Sequence, residues 1–316
     1  MSRVGIYSRS LPGSAALDPA AALAAARGHG LDGVIFNTIL ELSPSLDHGA
    51  LRALKARADD LGVDLAVGVG RIHPPSFPPG EDARARLEAM VAAAVQALGC
   101  RELWFSIATL ADRFSKTLPW PEQLAATQRF LVDFAPVLRD RGARSNLKTH
   151  EEITSREIVR LIEAVGPDVL GCSLDPVNLL VRLEDPVAAT RRLAPYVHHV
   201  HVDDALTYFV ADGIERKLYP VGEGAVDWPA IVGQVRGQDP AWWIELHRGQ
   251  FAMPVFEPGW AERDGVPLEE LAASIRLAAF GDRRLRTKAV PPPAAYQDDP
   301  WRRFQPTLAF LREALA

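Results

Sequence analysis

Cysteine is scarce here: the 316 residues contain two, Cys100 and Cys172. So few thiols make no disulfide framework. Cys172 falls on the apolar face of an expected strand, where a reduced, buried thiol fits. A basic excess is also missing. Lys and Arg number 35 against 40 Asp and Glu, for a formal net charge of -5, so there is no electrostatic footprint for nucleic acid. No run reaches the roughly 18 apolar residues of a membrane span. The opening ten residues, MSRVGIYSRS, lack the apolar stretch of a signal peptide, and a soluble cytoplasmic protein is expected. The first loop, Arg9-Ser-Leu-Pro-Gly-Ser14, carries no G-x-G-x-x-G, the dinucleotide fingerprint.

What is present is a repeated strand, loop and helix. Strands are expected at Val4–Ser8, Gly33–Thr38, Asp64–Gly70, Glu102–Thr109, Asn146–His150, Gly171–Asp175, Val197–Val202 and Trp242–His247. Amphipathic, alanine- and leucine-rich segments separate them, and Pro267–Phe280 supplies an eighth helix after the last strand. Thr154-Ser-Arg-Glu157 reads as a capping box, and Asp227 as an N-cap with Pro229 in the first turn. Eight βα units in series predict an α/β fold, a (β/α)8 barrel over residues 1–282. Composition changes at Arg283. Residues 283–316 then form an extension, first charged, then proline-rich, and ending in an amphipathic helix over Arg303–Leu315. Trp301, Phe304, Leu308 and Leu311 make an apolar stripe that should pack on this barrel or on a second copy's, so a homo-oligomer stays open.

The polar residues gather at the C-terminal ends of the later strands. In Val197–Asp204 the side chains alternate, with His199, His201 and Asp203 on one face. The same parity joins Lys148 with His150, Ser173 with Asp175, and Glu245 with His247. A parallel barrel keeps its active site at these ends.

Taken in order, Lys148-Thr-His-Glu-Glu152, Ser173-Leu-Asp-Pro-Val-Asn178, His199-Val-His-Val-Asp-Asp204, Val221-Gly-Glu-Gly-Ala-Val-Asp-Trp228 and Ile244-Glu-Leu-His247 give a specific set. With it the chain resembles the xylose isomerase-like superfamily, in particular its sugar phosphate isomerase/epimerase branch, over roughly residues 3–280. The resemblance implies a divalent metal, Mn2+ or Mg2+ with Zn2+ as the alternative, at Asp175, His201 and Glu245. It also implies substrate contacts among Tyr7, Asn37, His73, Trp104 and Ser106, although His73, in the loop after strand three, is expected in solvent. His247 and Arg248 are further substrate-binding candidates; Arg248 and Lys217 lie near the mouth, where they either grip a phosphate or carboxylate or stay solvated. Trp104 is equally accounted for as barrel packing. The fourth ligand of the family, a glutamate on strand five, is here Lys148.

That substitution opens three outcomes. Lys148 swings aside from a three-ligand metal, or His150 substitutes as ligand, or no metal binds and Lys148 supplies the positive charge. For chemistry, Lys148, His150 and Glu245 are the expected catalytic groups: either burial and cationic neighbours lower the lysine toward neutrality so that it shares acid/base work, or it stays a cation that polarises a carbonyl or holds a carboxylate. The expected enzyme isomerises or epimerises a sugar, polyol or keto-acid by proton transfer next to a carbonyl, with a dehydratase or lyase as runner-up. A metal-free, non-catalytic ligand-binding barrel is the alternative. A phosphodiesterase of the endonuclease IV kind is disfavoured by the missing glutamate and the acidic balance.

Overall fold

In the computed structural model, residues 3–296 and 299–316 are described. Eight parallel strands close into a barrel. Seven of them come first: β1 (Val4–Tyr7), β2 (Gly33–Phe36), β3 (Asp64–Arg71), β4 (Glu102–Ser106), β5 (Arg144–Lys148), β6 (Leu170–Leu174) and β7 (Val197–Val202). The chain then forms an antiparallel hairpin of β8 (Asp204–Val210) and β9 (Gly213–Tyr219). It returns as β10 (Ala241–Ile244), which pairs with β7 and β1 to shut the barrel. β11 (Phe251–Met253) adds a third strand to the hairpin, on the β9 side.

Alternation along the strands builds the two layers. Outward Val4, Ile6, Val34, Leu147, Cys172, Val200 and Ile244 pack with the helices into one large core, and Cys172 is a buried free thiol. Inside the barrel, Ile35, Trp104 and Trp243 meet Tyr7 and Ala66. Gly5 makes room for this layer, because a Cβ there would stand 2.3 Å from the Trp243 ring. Helix starts follow the sequence signals. Thr154 and Glu157 form a capping box, and the Asp227 side chain accepts from the Ala230 amide.

The eighth helix differs from expectation. The segment after β10 is helical over Leu268–Arg286, past the expected end, and its main packing partner is β8, with Leu277 touching the main core. Contact is close: a Cβ on Gly281 would lie 1.9 Å from the Thr207 carbonyl oxygen. The reason is a second apolar surface, formed by Leu183, Ile214, Met253, Trp260 and Ala278, which the inserted three-stranded sheet creates. The outer groove over β1 and β10 is filled instead by the terminal helix, Phe304–Ala314. Its Phe304, Leu308 and Leu311 are buried in the main core. Trp301 stacks on Phe304 at 4.0 Å between centroids, and His29 packs against both rings. The apolar stripe of the tail is thus used within its own chain.

Because Phe304 is fully buried in this seal, Phe304→Ala should cost about 3–5 kcal/mol of unfolding free energy. Urea denaturation followed by circular dichroism measures it. A loss under about 1 kcal/mol would mean the helix is only loosely attached.

Candidate active site

The barrel's C-terminal mouth gathers one ammonium, two carboxylates and an imidazole. Lys148 is the last residue of β5, Asp175 follows β6, and Glu245 and His247 follow β10. Lys148 Nζ donates to both Glu245 oxygens at 2.7 Å and lies 2.9 Å from Asp175 Oδ2. His247 Nε2 is 2.8 Å from Asp175 Oδ2 and 3.4 Å from Glu245 Oε1. Lys148, Asp175 and Glu245 are buried.

The charges hold one another. Burial works against the Lys148 ammonium, but the Glu245 and Asp175 carboxylates outweigh it and push the lysine above its ordinary value. Lys148 is therefore a fixed cation, not the near-neutral base expected from burial alone. Burial would raise Glu245, yet Lys148, His247 and His201 hold it well below the usual carboxylate range. His247 is disfavoured as a cation by burial and favoured by Asp175 and Glu245, which prevail and take it up to about 10. At neutral pH the cluster is two cations against two anions.

A second line of contacts runs from His247 to the chain's end. His247 Nδ1 is 3.2 Å from Asp203 Oδ2. Asp203, with no exposed surface, accepts from Arg303 Nη1, at 2.6 Å for Oδ1. Arg303 Nη2 also donates to the His247 carbonyl. The terminal segment thus contributes to the mouth.

The other expected residues are placed as follows. His201 Nδ1 stands 2.5 Å from Glu245 Oε2, and its Nε2 bonds Ser173 Oγ at 2.8 Å. Tyr7, at the end of β1, is raised by burial and by Glu245 and meets Trp104 edge-on. Trp104 donates from Nε1 to the Phe36 carbonyl and lies under Lys148 Nζ, 5.5 Å from its ring centroid. It does packing work and also faces the mouth. Asn37 is half-buried just past β2, and Arg248 is exposed.

His150 departs from expectation. β5 ends at Lys148, two residues earlier than expected, so strand parity no longer places the pair on one face. The imidazole turns to Glu151, 2.8 Å away, and to Glu152. Burial opposes its charge, but Glu152 and Glu151 carry it up to about 10. His73, expected in solvent, is buried and bonds Gln123 at 2.7 Å. Sequence reasoning missed Arg303 and Arg216. No local motif marks Arg303, and Arg216 sits on a hairpin that the strand–helix repeat does not announce.

Comparison with known proteins identifies the family of the barrel. The profile of the xylose isomerase-like TIM barrel family matches residues 23–258. The chain belongs to this family. It is 25% identical over 195 residues to a 3-oxo-isoapionate decarboxylase of Pectobacterium atrosepticum, covering 61% of this chain and 64% of that one. The two other curated relatives are matched over 29% and 34% of their lengths. Among solved structures, D-psicose 3-epimerase from Clostridium cellulolyticum H10, with D-tagatose, superposes at a TM-score of 0.62 and 16% identity, over 88% of this chain and 99% of that one. A probable 3-DHS dehydratase, AsbF of Bacillus anthracis, gives 0.55 at 15% identity, over 83% and 97%. At these identities the likeness is one of fold.

In this xylose isomerase-like barrel, Asp175, Glu245 and His247 each offer an atom within 4.8 Å of the others, a set that could hold a divalent ion. His201, expected as a ligand, is not in that set. The ammonium of Lys148 already contacts both carboxylates of the set. A divalent ion about 4 Å away would be repelled by about 8 kcal/mol at an effective dielectric constant near 20. The donor set does not fit a divalent ion while Lys148 stays in place.

A buried charge pair stripped of one partner leaves the other uncompensated. Lys148→Met should therefore cost about 3–5 kcal/mol at pH 7, and adding Glu245→Gln should recover part of it. Chemical denaturation of the two variants tests this. A single-variant loss under about 1 kcal/mol would show that Lys148 is not the counter-ion of the carboxylates.

Proposed function

We propose that this chain is an enzyme acting on a sugar-derived carbonyl compound, moving a proton at the carbon next to the carbonyl and so isomerising or epimerising its substrate. The reading rests on one observation: Lys148 and His247, both cationic at neutral pH, adjoin Glu245 at the mouth of the barrel. A carbonyl oxygen at the ammonium gains charge as the adjacent C–H bond breaks, and fixed donors in a dry site stabilise that developing oxyanion. Glu245 takes the proton. At rest its basicity is suppressed by Lys148; a substrate oxygen that draws the ammonium away restores it. One carboxylate cannot serve both faces of the carbon, so His247 returns the proton. Lys148 acts as the site's cation, in the position where the wider family carries a carboxylate.

A lyase step is the second reading, supported by the Pectobacterium relative, whose name is that of a decarboxylase. Loss of CO2 from a 3-oxo acid leaves its electron pair as the same kind of enolate, which the same cations would hold.

Incubation with a panel of keto-sugars and 3-oxo sugar acids in D2O, followed by proton NMR, tests both. Deuterium should enter at the carbon next to the carbonyl, and Lys148→Met should slow it by about two orders of magnitude or more. CO2 release alongside protonation identifies the lyase reading. Unchanged exchange in a folded Lys148→Met protein would sink the assignment of Lys148.

A further inference from the structure

Arg216 is a further buried cation near the mouth, and nothing in the proposed reaction uses it. It lies on β9 with no exposed surface, and none of its three guanidinium nitrogens hydrogen-bonds to a described residue. Its guanidinium lies over the Phe251 ring, 4.8 Å from Cζ to centroid. Stacking of that kind occupies the face of the guanidinium and leaves the N–H donors at its edge unspent. Burial lowers its basicity, while the charges of Glu151, Asp175 and Asp203 support it, so Arg216 lies in the field of the mouth. Directly across the hairpin sits Thr207, buried, with its hydroxyl also unpartnered. Opposed residues of an antiparallel pair share a face. An unpartnered fork and an unpartnered hydroxyl therefore stand side by side, and leaving such groups buried without a partner is costly.

The next two residues of β9 line a cavity of about 280 Å³ that reaches His247 and Arg303. Lys217 and Arg248 stand on its walls, and no carboxylate occurs among its described lining residues. Lys217 is paired at 3.3 Å with Glu215, its neighbour on the strand. The cavity is an all-cationic approach to a mouth whose own charges are otherwise matched.

We propose that the substrate carries an oxyanion, a carboxylate or a phosphate, which the Arg216 fork and the Thr207 hydroxyl bind, with Lys217 and Arg248 lining its path. This rests on the reading of the mouth as a substrate site, and it adds the substrate's charge to that reading. A planar guanidinium matches either oxyanion through two parallel hydrogen bonds.

Binding, not turnover, tests it, so the result does not depend on whether proton exchange is found. Calorimetric titrations of the wild-type chain, Arg216→Met and Arg216→Lys with malonate, with inorganic phosphate and with neutral D-fructose, all at one ionic strength, are the arms. Wild type should bind malonate or phosphate saturably, and the preferred one names the group. Arg216→Met should weaken that anion at least tenfold and leave fructose unchanged. Arg216→Lys, which keeps the charge but loses the fork, should weaken it too. Should Arg216→Met fail to fold, Arg216→Lys and Thr207→Val carry the comparison. The proposal is overturned if wild type binds neither anion saturably, or if the folded variants bind the anion as tightly as wild type.

Discussion

The Lys148 ammonium, enclosed by the Glu245 and Asp175 carboxylates, sets the character of the whole mouth. A charge taken out of water is costly unless paired, and here three buried groups at the ends of β5, β6 and β10 supply each other's partners. The pairing fixes the lysine as a cation and the glutamate as an anion, and through Asp175 and Glu245 it raises His247 as well. Each group's state follows from its neighbours. Removing the ammonium would therefore change what the carboxylates can bind as well as how firmly they are held.

From that contact the dependence runs outward. His247 meets Asp203, and Asp203 is bound by Arg303, which opens the terminal helix. The same helix seals the barrel over β1 and β10 with Phe304, Leu308 and Leu311. Packing of the tail and electrostatics of the mouth are coupled through one arginine. The eighth-helix groove is left for the tail because the inserted sheet of β8, β9 and β11 draws off the helix over Leu268–Arg286. That sheet also brings Arg216 to the mouth, so the departure from a plain eight-fold βα repeat and the cationic approach have one origin.

Much of the frame was legible in the sequence, for a physical reason. Strand side chains alternate with a period of two, so Val-His-His-Val-His-Val and Trp-Trp-Ile-Glu-Leu-His announce which residues face inward. Asp175 and Glu245 were read at the mouth in this way. Parity fails where a strand stops. His150 and His247 both lie beyond their strands, and the backbone turn there, not alternation, decides that one meets Glu151 and the other meets Asp175. His201 kept its parity and meets Glu245, yet lies outside the donor set of Asp175, Glu245 and His247. The hairpin was missed because β8 and β9 follow β7 without a helix, and a βα rhythm assigns such a stretch to loop. Arg303 and Arg216 carry no local signal, since their roles come from partners about 100 residues away or from the absence of a partner.

The most direct test of Lys148 as the resident cation is a calorimetric Mn2+ titration of the metal-stripped wild-type protein beside Lys148→Glu. An ammonium on both carboxylates should leave the wild type without tight, stoichiometric Mn2+ binding. Glutamate at the same position adds a ligand and removes the repulsion, and should bind one Mn2+ per chain tightly. One tightly bound Mn2+ per wild-type chain, with no gain on Lys148→Glu, would contradict the account.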